Sequence, residues 1–397
     1  MTHRITITAA DMHEINRSAI LEIIRREGPI SRTAIAMQLG VSLPTAMRVV
    51  EELIFEELVR VEGSSEWSGG RRRPLLEFNA SGFVVVGVDM GGTRMYGAVS
   101  DLGGNILDEV DMGWHSVSSE ENYQRLVKLI DTLLISPKAA GRKVRGIGVG
   151  APGITMHKEG IVKWAYSLDW RNFPLKSRLA EKYGLPITVD KDVNLAAMGE
   201  LWFGAGQDVQ NMILITVGSG IGAGIVIDGA LYRGGSEASG EIGHIIPGPE
   251  FLGKNFQEFG ALESVASETG ILKLARVCLS AERTPDEIKS LTVDDILIAA
   301  RKGQKWAMSI ISEAVDYLAL AVANLSVAFD PELIVLGGSI STYADLLVAP
   351  ILKRINGTIP NLPKLVVSNL GMRAVVMGAI SNVLHNTSNF YVVHKLS

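Results

Sequence analysis

Four groups of residues in this sequence have the types and spacing to work on a phosphate or a hydroxyl-rich ligand. Asp89 closes the apolar run FVVVGVD and is followed by Gly91, Gly92 and Thr93. Small residues there let backbone N–H groups approach a phosphate, and Thr93 adds a hydroxyl donor. A second loop, Gly218, Ser219 and Gly220 running on to Gly224, can do the same. The run ITVDKDVNLAAMGELWFGAG passes from a strand into a helix, which sets Asp190, Asp192 and Asn194 at the strand's carboxyl end, where α/β folds bind ligands. A carboxylate at that point could take the proton of a hydroxyl as it attacks a γ-phosphate. Glu241 and His244, three apart in SGEIGH, and Glu263 in GALESVAS supply acceptors and a ring donor for several hydroxyls. A polyol site needs such groups, because an unmatched buried hydroxyl is costly. Taken singly, each has a plain structural explanation: a turn glycine, a helix cap at Asp192, a surface glutamate, a core histidine.

The elements that must position these residues are legible as periodicity. From Phe83 onward, strand-like runs (FVVVGVD, VRGIGVG, MILITVG, GAGIVI, ELIVLGG) alternate with helical ones, notably Ala261 to Val277 and Lys305 to Asp330. That alternation predicts layered α/β sheets. The recurrence of a strand followed by a Gly loop, at 89–93 and 217–224, suits two similarly built lobes facing one cleft. Up to Asn79 the pattern is instead short amphipathic helices, so the chain divides into a domain of residues 1–80 and one of 81–397. With 397 residues, 42 Gly, 20% charged residues and one cysteine, Cys278, the composition excludes a single small core, a disulfide framework and a zinc cluster built from cysteines. The N-terminal stretch lacks a signal-type apolar core, and the run Tyr317 to Phe329 is short and interrupted by Asn324 and Ser326. The expectation is a cytoplasmic protein with no membrane partner. A net charge of -5 argues against a uniformly basic nucleic-acid coat but leaves room for a local binding face.

Such a face is found in the first 80 residues, where ten Arg stand against eleven Asp and Glu. SAILEIIRR places Ile20, Ile23 and Ile24 on one helical stripe, and Pro29 stops it. Ser31 caps a second helix with Ile35, Ala36 and Leu39 inward and Gly40 at its exit turn. Ser42 caps a third, with Pro44 in the first turn and Ala46, Val49, Val50 and Leu53 inward. Helix, Gly turn and helix in this spacing is the helix-turn-helix arrangement, whose second helix enters the major groove by its N-terminal end. Ser42, Pro44, Thr45 and Arg48 would then meet DNA. LVRVEGSSEWSGGRRRPLLEFN reads as a β-wing, and Arg71 and Arg72 would grip phosphates or a narrow minor groove. The plain alternative is a solvated linker. Such readers pair on inverted repeats, so a homodimer or homotetramer on operator DNA is expected.

Together these residues resemble the ROK family (repressor, open reading frame, kinase), in the class with an N-terminal winged helix-turn-helix and a two-lobed, actin-like (ribonuclease H-like) sugar-kinase fold of α/β type. The matching stretches are GPISRTAIAMQLGVSLPTAMRVVEEL, SGGRRRPLL, DMGGT, GVGAPG, DKDVN, VGSGIGAG, GEIGH, ALESVAS and PELIVLGGSIS, from about residue 16 to 386. The resemblance implies that Asp192 is the catalytic Asp of a kinase, that Asn194 belongs to the DVN segment, and that Glu241, His244 and Glu263 touch sugar. It further implies that Asp89, Gly91, Gly92, Thr93, Gly218, Ser219 and Gly220 hold phosphates and that Gly337 and Gly338 form the adenosine-side turn. The sequence departs from the family twice. Where many members carry a zinc-binding CxCGxxGC segment, this chain has Lys254, Phe256 and Ala261 in place of thiols, so no structural zinc is expected and Phe251, Phe256 and Phe259 must hold the stretch by packing. Lys191 stands where sugar kinases of the family place Asn, and could alter the sugar contacts or pair with Asp190.

The leading reading is a sugar-responsive repressor of carbohydrate-metabolism genes that requires no cofactor. The alternative is an ATP-dependent hexose kinase, with magnesium, whose base is Asp192. The retained DMGGT keeps ATP and magnesium as ligands the cleft could take, and three carboxylates around one site favour a neutral sugar.

Overall fold

The N-terminal segment folds from its helix caps inward. In the computed structural model, which describes residues 9–64, 74–91, 94–113, 118–256, 260–281 and 284–387, α1 covers Ala9–Glu27. It starts well before the expected Ser18, since residues 9–17 contain no Gly or Pro and Arg17 is tied at 2.5 Å to Glu56. After β1 (Ile30–Ser31), Ser31 accepts a hydrogen bond from the Ala34 N–H and caps α2 (Arg32–Leu39), which exits through Gly40. Ser42 caps α3 (Leu43–Phe55) by accepting from the Thr45 N–H, with Pro44 in the first turn. Strands β2 (Val59–Ser64) and β3 (Pro74–Phe78) form the wing, with β3 in the middle and β1 on its other edge.

The rest of the chain builds one strand plan twice. In the first lobe β4 (Phe83–Met90), β5 (Arg94–Asp101) and β6 (Ile106–Gly113) run antiparallel. Beyond α4 (Ser119–Leu134), β7 (Lys143–Ala151) lies parallel to β4. A small antiparallel sheet follows, of β8 (Ile154–Met156), β9 (Ile161–Ala165) and β10 (Trp170–Phe173), and then α5 (Leu175–Tyr183). β11 (Ile187–Lys191) completes the large sheet parallel to β7, and its last residue leads directly into α6 (Asp192–Phe203).

The second lobe repeats the order with β12 (Met212–Val217), β13 (Ile221–Ile227) and β14 (Ala230–Leu231) antiparallel, then β15 (Leu333–Gly337) and β16 (Lys364–Val367) parallel to β12. Helices α7 (Glu263–Ala266), α8 (Glu268–Leu279), α9 (Pro285–Ser290), α10 (Val293–Arg301), α11 (Lys305–Phe329) and α12 (Ala344–Ile355) cover it, and α13 (Ala374–Thr387) returns to the first lobe. The single helix expected over Ala261 to Val277 is broken at Ser267, whose extended backbone and hydroxyl cap a new helix start at Glu268. Helix α11 is long and apolar enough to cross a membrane by composition, but Ile310, Ile311, Val315, Leu318 and Val322 are buried in the second lobe's core.

Helices α6 and α13 lie against each other at backbone distance. A Cβ on Gly199 would sit 2.1 Å from the Ala374 carbonyl oxygen, and one on Gly378 would sit 1.7 Å from that of Leu195. Only hydrogen fits at either point, so the two helices pack backbone to backbone with no room for a side chain between them. The winged helix, in turn, does not hang from a linker. Ile20, Leu21, Ile24, Leu53, Leu58 and Leu76 share one apolar core with Val85, Ala98, Val376, Ile380 and Val383 of the first lobe and α13. Lys143 to Glu57 at 2.5 Å and the Arg25 guanidinium over Trp202 at 5.6 Å stitch the rim. Ile380→Ala, at a fully buried position, should cost about 2–4 kcal/mol. In scanning calorimetry it should lower the melting of the winged helix and the first lobe together, and two separated transitions would show that the shared core does not couple them.

Candidate functional site

Both lobes end their central strands on one cleft with a volume of about 510 Å³. Asp89, Gly91 and Arg94 line it from the first lobe, Lys191 and Asp192 from the junction of β11 and α6, and Gly218, Ser219, Gly220, Glu241, Glu263, Glu268, Gly337 and Gly338 from the second. Most of the expected ligand-binding residues are thus brought together. Gly92 and Thr93 lie outside the described residues.

Asp192 is the first residue of α6, and its Oδ1 accepts the Val193 N–H at 2.7 Å. Burial pushes its carboxyl up to about 6, with the Lys191 ammonium and the Val193 N–H pulling the other way. Asp89 is pushed further, to about 8, first by burial and then by the charge of Asp192. At neutral pH the cleft therefore offers a carboxylic acid and a carboxylate, one donating and one accepting, the pair a sugar hydroxyl can use in both senses.

Lys191 does not pair with Asp190. Its Nζ lies 2.5 Å from Glu241 Oε1, so Glu241 reaches the cleft already neutralised. Asp190 is occupied elsewhere: it takes the Arg233 guanidinium in two bonds of 2.8 and 2.6 Å, the Lys191 N–H at 2.7 Å and the Asn194 side chain at 3.2 Å. Arg233 continues to Glu237 at 3.7 Å, and Glu237 to His157 Nδ1 at 2.9 Å. Arg233, Glu237 and His157 carry no motif and were not foreseen, yet they tie the loop after β14 to the first lobe across the cleft. Glu263 is a latch as well as a wall, since its two oxygens accept the Ile221 N–H at 2.7 Å and the Gly260 N–H at 2.9 Å.

Two expected sugar contacts do not line the cleft. Asn194 is buried behind it, on Asp190. His244 ends a short 3₁₀ turn over Ile242–His244 whose buried positions are Ile242 and Gly243, which leaves its ring exposed. Nearby, where thiols were absent, Phe251 packs on Phe256 at 6.0 Å and edge-on to Tyr317 at 5.8 Å, and the Lys254 ammonium lies over the Phe251 ring. Phe259 falls outside the described residues.

On the winged helix, α3 presents Ser42, Pro44 and Arg48 to solvent, with Thr45 half-buried. The Ser42 hydroxyl is shared between the Thr45 N–H and its hydroxyl, so these two residues hold the helix start. The Arg48 Nη2 donates to His13 Nδ1 at 3.1 Å, while His13 Nε2 faces Glu52 at 2.8 Å. The His13 ring thus links the Arg48 guanidinium to α1. Arg71 and Arg72 lie outside the described residues.

A winged helix-turn-helix joined to a two-lobed sugar-kinase fold defines the class. The ROK family matches residues 85–386 and a winged helix-turn-helix DNA-binding family matches 14–60. The chain belongs to the ROK family. It is 31% identical over 397 aligned residues to a xylose repressor of Caldicellulosiruptor bescii, covering 96% of this chain and 98% of that one. Over 67% of this chain and 83% of the other it is 37% identical to a glucokinase of Halalkalibacterium halodurans. Among solved structures, a ROK family transcriptional regulator described as a homolog of the E. coli MLC protein superposes with TM-score 0.84 at 27% identity, covering 96% of this chain and 98% of that chain. A ROK glucokinase of Streptomyces griseus in complex with glucose and AMPPNP superposes with TM-score 0.67 at 29% identity, over 75% of this chain and 98% of that chain.

Proposed function

We propose that this protein is a sugar-responsive transcriptional repressor that binds operator DNA as a homodimer or homotetramer in the cytoplasm. The observation that carries the reading is the core shared by the winged helix, the first lobe and α13, with α13 locked to the helix that begins at Asp192. A ligand that closes the lobes must move α6, and α6 cannot move without α13. Control requires the sugar to prefer one lobe arrangement, because equal affinity for both would shift nothing. Residues 1–80 serve as the DNA reader and 81–397 as the sensor. Asp192, Glu241 and Glu263 hold a neutral sugar, and Asp190 with Asn194 steadies them. The names of the full-length relatives point to xylose and those of the cleft relatives to glucose, so the effector class is a neutral aldose.

The test is a binding-site selection from random duplex DNA with the full chain, followed by gel shifts with and without xylose or glucose. An inverted repeat should emerge, and sugar should change its affinity. Arg48→Ala should cost about 1–3 kcal/mol of discrimination at one base position of each half-site. Full discrimination in that variant would mean that α3 is not read through Arg48. The kinase reading is supported by one observation, the Asp192 carboxyl in the cleft at the end of β11. Sugar-dependent ADP release lost in Asp192→Asn would establish it.

A further inference from the structure

The second-lobe half of the cleft is formed by the Gly218–Gly220 loop, the Gly337–Gly338 turn and the start of α8, the half that would face a nucleotide's phosphates if the chain bound one. A polyphosphate needs free N–H and O–H donors and cations there. The protein spends several of those groups on itself. The Gly218 N–H donates to the Gly220 carbonyl at 3.0 Å, the Ile221 N–H to Glu263, and the Ser339 hydroxyl to Glu268 Oε1. Glu268 opens α8, so the positive end of that helix already carries an anion of the chain's own. The Glu268 N–H closes on the Gly218 carbonyl at 2.8 Å, and the Thr269 hydroxyl on that of Ser219 at 2.9 Å. Both cations lining the cleft face a carboxylate of the chain, Lys191 at Glu241 and Arg94 at Asp111, each at 2.5 Å, so their charge is balanced although Lys191 Nζ and Arg94 Nη2 make no hydrogen bond among the described residues. Burial pushes the Glu268 carboxyl up, the Ser339 bond opposes this, and the Asp294 charge adds to the rise. The residues therefore do not fit a nucleotide polyphosphate, although Asp89 and Gly91 remain in place.

What the same surface does offer is acceptors: the second carboxylate oxygen of Glu268 and the hydroxyl oxygens of Ser339, Ser219 and Thr216. The cleft volume of about 510 Å³ lies within the roughly 300–1,000 Å³ of small-molecule pockets, a class that includes a disaccharide. We propose that Glu268 bars nucleotide polyphosphates and makes this half of the cleft a subsite for the second ring of a neutral glycoside, whose first ring lies at Asp192 and Glu241. This rests on the sugar-binding reading above.

Calorimetry on the full chain tests it, with xylose, glucose, xylobiose, cellobiose, maltose, MgADP and MgATP as probes. At least one disaccharide should bind about tenfold more tightly than its own monosaccharide, the gain of one added charge-assisted hydrogen bond. The isosteric Glu268→Gln should bring that ratio close to one. MgADP and MgATP should give no heat with the wild type at millimolar concentration, and Glu268→Gly should admit MgADP. MgATP binding to the wild type, or a disaccharide preference that survives Glu268→Gln, overturns the proposal. Monosaccharides that bind as tightly as every disaccharide overturn it alone, whereas a chain that binds operator but no sugar of either size overturns the sugar reading beneath it.

Discussion

Asp190→Ala should cost about 3–5 kcal/mol in urea unfolding and remove the sugar response. The wild-type carboxylate is 1% exposed and holds the Arg233 guanidinium by two bonds. Deleting it leaves the largely buried Arg233 guanidinium only the more distant Glu237, at 3.7 Å, which is worse than having neither charge. The companion variant separates the two effects. Asp190→Leu with Arg233→Met replaces the pair by apolar groups of similar volume, and such exchanges are often neutral for stability. The double variant should regain most of the lost stability yet stay unresponsive, because the loop after β14 no longer carries Glu237 toward His157 and no Asp190 carboxylate accepts the Lys191 N–H. Equal instability of single and double variants would show that the loop is held by other contacts.

Asp192→Asn should move binding and stability in opposite directions. Loss of a charged acceptor facing a sugar hydroxyl costs about 1.5–3 kcal/mol, a fall in affinity of roughly 10–100-fold. Stability should rise by about 1–2 kcal/mol at pH 7.5, once partial exposure to solvent is allowed for. The sign follows from the raised carboxyl, pushed up to about 6 in the folded chain against 3.8 as the ordinary value. Between those values the folded state keeps a proton that the unfolded chain has released, so wild-type stability falls as pH rises through that window and stays lower above it. The Asn variant has no such loss, and the two proteins should converge toward pH 4. Urea titrations at several pH values read the stability and calorimetry the affinity. A variant less stable than the wild type at pH 7.5 would mean that Asp192 is a structural cap rather than a charge held for a ligand.

How much of this was readable in advance depends on how local each signal is. Ser31, Gly40, Ser42 and Pro44 act on their own helix ends, and the structure uses all four as read. The strand runs from Phe83 onward are also local, since a strand covered on both faces is a continuous apolar stretch. The break at Ser267 was hidden because the residues around it, ESVASETG, suit a helix, and only the demand that Glu268 reach the cleft shows the interruption as useful. Lys191 had two nearby candidates for a partner and took Glu241, fifty positions on, because Arg233 had claimed Asp190. Arg233, Glu237 and His157 sit in polar loops without periodicity, so nothing in their neighbourhood distinguishes them from solvated surface. Their role exists only after the lobes face each other.

The common core beneath the winged helix sets a condition on engineering. A regulator whose DNA reader is tethered by a linker can be retargeted by exchanging that reader at the linker. Here a cut near residue 80 would bare Val85, Ala98, Val376 and Ile380 to water, and a foreign winged helix would have to match their shapes as closely as a transplanted gear matches its train. A working chimera must therefore exchange the apolar face of α13 along with the first 80 residues, so that the interchangeable part of this protein is a pair of segments from opposite ends of the chain.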